Sequence, residues 1–403
     1  MAETGALEAT QLVAAVEARA GELYDLLTEL VRAPSPNPPG DTRAAAAVAS
    51  AYLASGGLDA RQLGAAPERL SVIAALDGAA PRLLFLSHLD TVPLGNLDAW
   101  QADPFGAEVR DGRLYGRGAA DAKASAAAML LALRVLATAL PRCGVTLALV
   151  ADEETGGAGV RYLLEQGVLA ADAVVVGETT ANEVAIAEKG AAWLKLHTWG
   201  RTAHASIPQA GINAAQRLVR WLDRLERHLV PRLAERRHPL VPPPSLTLTL
   251  LAGGVAPNVV PDHCEAVLDR RTLPGETLEA VRAELLREAA ALEAEDPAWR
   301  ATVEVLVWAE PFETPATAGI VQAALAARRR LGLAAAPVGY LQASDGRFFG
   351  ARGVPTIILG PGRAEDTHVP DESVALEQVL EAAKLYVLLA HELAAQGAPE
   401  AAR

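Results

Sequence analysis

The chain has 403 residues, more than one ordinary core accommodates, so about two to three domains are expected. Apolar residues make up 51% and charged residues 21%, a globular composition that excludes a largely disordered chain. The formal charge of −13, with no basic patch to offset it, argues against nucleic acid and anionic membranes as partners. The N-terminal stretch "MAETGALEAT" carries acids and no apolar run of a signal peptide, and no run of about 18 apolar residues suggests a membrane span. Two cysteines, Cys143 and Cys264, fit free thiols of a reducing compartment better than a disulfide framework. The expected location is the cytoplasm.

In chain order, apolar residues at helical spacing predict a helix over residues 10–32, ended by "SPNPPGD", and a second helix over Thr42 to Ser55. Short apolar runs follow: "LSVIAAL", "RLLFLSHLD", "VTLALVADE" and "AVVVGE", with the Ala- and Leu-rich helix "AKASAAAMLLALRVLATAL" between two of them. Strands alternating with helices predict a doubly wound α/β layer. Near residue 188 the texture changes. Strand "AAWLKLHTWG", a helix over about Asn213 to Leu229, a surface loop "PRLAERRHPLVPPP", strands "SLTLTLLAGG" and "CEAVLDRRT", helix "GETLEAVRAELLREAAALEAE" and strand "ATVEVLVWAE" predict two helices on a small antiparallel sheet. After Pro311 the α/β texture returns, with helix "ATAGIVQAALAARRR", strand "TIILGPG" and a final helix over about Leu376 to Ala395, before a frayed tail. Arg328 to Arg330 are expected in a solvated last helical turn.

Ligands of such a layer bind beyond the carboxyl ends of its strands. Those ends carry His88 and Asp90 in "SHLDTVP", Asp121 in "GRGAADAK", Glu153 and Glu154 in "LVADEETGG", Glu178 in "VVVGETT" and His368 in "GPGRAEDTHVP". If they converge, acids gather with no Lys or Arg placed to neutralise them, which costs several kcal/mol per buried group unless water or cations intervene. Imidazole and carboxylate without thiolate suit zinc, or cobalt or manganese. Glu153 and Glu154, read at a strand end, would face opposite sides and could not share one task. "GRGAAD" is a poor dinucleotide fingerprint, because Asp121 stands where the third glycine belongs. His228 and His391 fall in helices and His238 before a proline-rich loop. His197 and His263 lie on strands without metal-type neighbours, and a structural role is expected for both.

Together "SHLDTVP", "GRGAADAK", "DEETGG", "GET", "GRTAHASIPQAGINA" and "DTHVPDES", in that order, resemble the M20 metallopeptidases, the family of acetylornithine deacetylase, succinyl-diaminopimelate desuccinylase, aminoacylase and glutamate carboxypeptidase. The resemblance implies a zinc-peptidase-like catalytic domain over residues 1–187 and 311–403, with a mixed sheet flanked by helices. An inserted α+β, ferredoxin-like dimerisation or lid domain would occupy residues 188–310. It implies two zinc ions, with cobalt or manganese as alternatives: His88 and Glu178 on one, Glu154 and His368 on the other, Asp121 between. Asp90 would receive the other N–H of His88, Glu153 would act as general base on a metal-bridging water, and the Asp121–Ala122 peptide would be cis. His204 would reach a partner's site across a homodimer, while Asn258 and Arg271 would hold substrate oxygens or a carboxylate. Ser344 and Gly346 of "SDGRFF" either line the substrate pocket or form a tight turn. The implied activity is hydrolysis of the amide bond of a small N-acyl amino acid, of deacetylase or desuccinylase type. The rivals are a dipeptidase or glutamate-type carboxypeptidase of the same family, and a noncatalytic metal- or ligand-binding homologue.

Overall fold

The structure is a computed structural model that describes residues 8–139 and 143–397. Residues 1–7, the side chain of Cys143 and all but the first two residues of the tail 396–403 expected to fray lie outside the described residues, and those two continue the last helix to Gly397. The chain forms two compact units: residues 1–186, 314–338 and 344–403, and residues 187–313 with 339–343. The return of 339–343 to the second unit has no counterpart in the sequence reading. Gly339 explains it locally, since a Cβ there would stand 2.1 Å from the carbonyl oxygen of Leu240. Only a bare backbone packs that closely.

In the first unit, four strands run parallel in the order Cys143–Val150, Ala79–His88, Ala173–Val176 and Thr356–Ile358. Arg69–Leu76 joins antiparallel beside Cys143–Val150, and Ala60–Ala66, which was not expected from sequence, forms the outer edge. The last six residues of Ala79–His88 are all buried, as expected of a parallel strand covered on both faces. Helices Lys123–Ala139 and Leu376–Gly397 pack against that strand and against each other. The expected first helix is broken into Ala9–Glu17 and Ala20–Val31. Arg328 is not solvated: it is 6% exposed and donates to the carbonyls of Asn182 and Ala334. Its guanidinium satisfies backbone acceptors that would otherwise be buried without a partner.

The second unit has strands Gly190–Trp199, Ser245–Gly253, His263–Thr272 and Ala301–Ala309, antiparallel in the spatial order second, third, first, fourth. One helical segment lies between the first two strands in sequence and helix Leu278–Glu295 between the last two, which is the ferredoxin-like arrangement. Its core is built from Leu194, Leu196, Leu218, Trp221, Leu268 and Leu285. Asn213 caps helix Ala214–Arg224 by accepting from the Gln216 N–H at 3.0 Å. Part of the expected loop at 231–244 is helical, because the chain passes through a wider turn at Leu225–Leu229 into Val230–Glu235. Pro231 has no N–H to return to the Arg227 carbonyl, so the helix widens instead of ending.

Candidate metal centre

The carboxyl ends of the parallel strands share one edge of the sheet, and the side chains singled out there meet. His88 closes strand Ala79–His88 and is 1% exposed. Its Nδ1 lies 2.9 Å from the backbone oxygen of Asp90; a carbonyl can only accept, so Nδ1 carries the proton. Nε2 therefore turns a lone pair toward Asp121 Oδ1 at 3.2 Å and Glu178 Oε1 at 3.6 Å. On the other side of Asp121, Oδ2 lies 3.2 Å from His368 Nε2, which is also 3.5 Å from Glu154 Oε2. One carboxylate thus faces two histidines, each backed by its own glutamate.

Lone pairs and anions at these separations repel unless protons or cations lie between them. Burial alone would lower the His88 pKa, but Glu178, Asp121 and Glu153 hold it well above the ordinary imidazole value. Hydrogen bonds to Asp121 and Glu154 push His368 up to about 10. Burial, reinforced by Asp121 and Glu153, pushes Glu178 well up. Glu154 Oε1 is buried with no hydrogen-bond partner. Of the nearby cations, Lys123 donates to the Ala33 carbonyl at 2.7 Å, Arg117 pairs with Glu372, and Arg347 lies 3.7 Å from Asp345. A donor set of imidazole nitrogens and carboxylate oxygens around a central aspartate fits two divalent ions of the zinc, cobalt or manganese class.

Glu153 and Glu154 do not stand on the strand. They occupy the short helical turn Glu153–Thr155 after it, so their divergence comes from a helical step and not from strand alternation. Asp90 also differs from expectation. Its carboxylate is 3.7 Å from His88 Nδ1 and accepts instead from the backbone N–H groups of Glu153 and Glu154, each at 3.2 Å, and from Asn37 Nδ2 at 2.9 Å. It orients the histidine through its main chain and the glutamate turn through its side chain. The Asp121–Ala122 peptide is cis, as expected.

Three residues were missed. Asn37, in the helix-breaking "SPNPPGD", bridges Asp90 and Asp152. Glu372 accepts from the backbone N–H groups of Ala120 and Asp121 at 3.0 and 3.1 Å, fixing the segment that carries the central aspartate. Asp345 is 1% exposed, has both carboxylate oxygens without hydrogen-bond partners, and after burial is the main influence raising the Glu153 pKa. Its neighbours in "SDGRFF" make a turn: Ser344 is buried and its hydroxyl accepts from the Gly346 N–H at 3.1 Å.

In the second unit, His204 Nδ1 accepts from the Ser206 N–H at 3.2 Å, which leaves the ring proton on Nε2. The carbonyl of Asn258 accepts from the Ala205 N–H at 2.9 Å, so His204 and Asn258 stand on adjoining segments. Arg271 is held by both oxygens of Asp269 at 2.9 and 3.1 Å. Arg270 is 1% exposed and pairs with Glu276.

Residues 84–392 match the family described as peptidase family M20/M25/M40. Among solved structures, aminopeptidase PepT of Bacillus cereus superposes with a TM-score of 0.76 at 22% identity, over 93% of this chain and 99% of that one. Human carnosine dipeptidase 1 gives 0.69 at 18% identity, over 96% and 100%. A dinuclear metal-binding M20 peptidase of Bacillus subtilis gives 0.70 at 18% identity, over 93% and 98%.

Proposed function

The chain belongs to peptidase family M20/M25/M40 and is a hydrolase of peptide or amide bonds, and from that premise we propose that it cleaves the amide of a small N-acyl amino acid. The observation that supports metal-dependent amide hydrolysis, the part shared by every candidate substrate, is Asp121, with one oxygen toward His88 and the other toward His368, beside a glutamate turn held by Asp90. In this proposal His88 and Glu178 would hold one ion and Glu154 and His368 the other, with Asp121 available to both. Bound there, two such ions would supply Lewis acidity at the scissile carbonyl and a water of pKa about 7. Glu153 takes the proton of the attacking water and returns it to the leaving amine. Burial and the charge of Asp345 raise its proton affinity, which suits a group that must accept before it donates.

His204, with its proton on Nε2, is a hydrogen-bond donor suited to the carbonyl oxygen, and Asn258 belongs with it. Arg271 is assigned to a substrate carboxylate, which must then compete with Asp269 for the guanidinium. We also propose a homodimer through the second unit. Its edge strand Ser245–Gly253 leaves Leu248, Leu250 and Leu251 exposed at 47%, 65% and 60%, and an open apolar edge invites pairing with a second chain. A dipeptidase is the second reading, favoured by the likeness to carnosine dipeptidase 1.

The deciding experiment is a panel of N-acetyl and N-succinyl amino acids against dipeptides and tripeptides, before and after chelation. Chelated protein is expected to lose turnover and regain it with zinc or cobalt. Turnover of dipeptides alone would replace the first reading by the second, and turnover indifferent to chelation would end both.

A further inference from the structure

A second group of metal-type side chains lies wholly within the second unit, on its sheet. His197 Nδ1 stands 3.2 Å from His263 Nε2 and 3.9 Å from Glu265 Oε2. Strand register brings them there: on Gly190–Trp199, His197 lies opposite Glu265 and Trp199 opposite His263, so residues two apart on neighbouring strands share one face. On the other side Glu304, opposite Lys195, reaches His197 diagonally, with Oε2 3.0 Å from Nε2.

That last contact fixes the tautomer. A carboxylate accepts, so the His197 proton belongs on Nε2 and Nδ1 presents a lone pair. An imidazole whose one N–H is held by a carboxylate while the other nitrogen faces further donors has the usual surroundings of a metal ligand. One atom from each of His197, His263 and Glu265 lies within 4.8 Å of the other two. Zinc–nitrogen bonds of about 2.0–2.1 Å in a tetrahedron separate two ligand nitrogens by roughly 3.3 Å, close to the spacing here. A hydrogen bond between the imidazoles accounts for that spacing too. It leaves the Glu265 anion facing the Nδ1 lone pair, a repulsion that a cation between them reverses. Lys195 lies 3.5 Å from the other oxygen of Glu265, leaving Oε2 to the cluster. Trp199 stacks on His197 at 5.6 Å between ring centres and lies 5.7 Å from His263, which limits the rotation of both rings.

We propose that His197, His263 and Glu265 bind one divalent cation of the zinc class, with Glu304 orienting His197. Two nitrogens, one oxygen and no thiolate suit that class, and three protein ligands leave a position for water. The bound ion ties strand Gly190–Trp199 to His263–Thr272.

The test compares full-length wild type with His197→Ala/His263→Ala after equilibration with zinc chloride and dialysis, reading metal per chain by mass spectrometry. The variant is expected to hold one zinc fewer while its catalytic turnover is unchanged; equal zinc content in the two would overturn the proposal. Glu304→Gln, which keeps every ligand, should weaken zinc binding at this site about 10- to 100-fold. Should the double variant fail to fold, nitrogen NMR of histidine-labelled wild type serves instead. Zinc is expected to shift the ring resonances of both His197 and His263, and resonances that stay put in excess zinc would overturn the assignment.

Discussion

Glu153 is asked to carry a proton, and its surroundings show how one carboxylate is set apart from its neighbour. Glu154 is turned toward His368, whereas Glu153 is raised by burial and then by Asp345. Glu153→Ala should therefore keep its metal content, measured by mass spectrometry, while kcat falls about 10²- to 10⁴-fold. An unchanged kcat would remove Glu153 from the mechanism. Asp345 gives a second handle. A negative neighbour disfavours the carboxylate form and so raises the pKa of Glu153; replacing it with a neutral amide lowers that pKa. Asp345→Asn is expected to move the acid limb of the kcat/KM profile to lower pH. Since burial pushes Asp345 itself up to about 6, its charge is present only above that region, and the displacement should be read there. "LVADEETGG" displayed the two glutamates. Asp345 could not be singled out from sequence, because its chemical partner lies almost two hundred residues away along the chain.

Between elements, close approach holds the site in shape. Gly360, just after strand Thr356–Ile358, lies so near helix Lys123–Ala139 that a Cβ would stand 2.4 Å from Ser125 Oγ and 2.5 Å from the Glu178 carbonyl. Gly360→Ala should destabilise the fold by about 1–3 kcal/mol, read as a lower urea midpoint with unchanged slope. It should also reduce retained metal, since the chain that must shift carries Glu178. Helix Lys123–Ala139 and the strands fed by apolar runs were legible in advance, because an Ala- and Leu-rich composition and continuous apolar stretches are local features of the sequence. The edge strand Ala60–Ala66 and helix Val230–Glu235 were not. The first has no buried residue to mark a face; the second has a proline as its second residue and is held by the single buried side chain of Leu233.

For the whole molecule, association is the open consequence of the fold. Leu250, 65% exposed on edge strand Ser245–Gly253, would be covered in the proposed dimer, so Leu250→Asp should convert a dimer to a monomer by light scattering; wild type that is monomeric while active would exclude a site shared between chains. Sequence by itself determined the α/β class, the inserted antiparallel unit and the acids and histidines at the strand ends, because each is written in a run of consecutive residues whose spacing sets which side chains share a face. Tertiary structure alone decided that the Glu153 N–H meets Asp90 across 63 residues and the Asp121 N–H meets Glu372 across 251. It also brought Glu265 and Glu304 beside His197, a residue with no metal-type neighbour along its own strand. Cross-strand register and the packing of distant loops set those contacts, and neither leaves a period in the sequence.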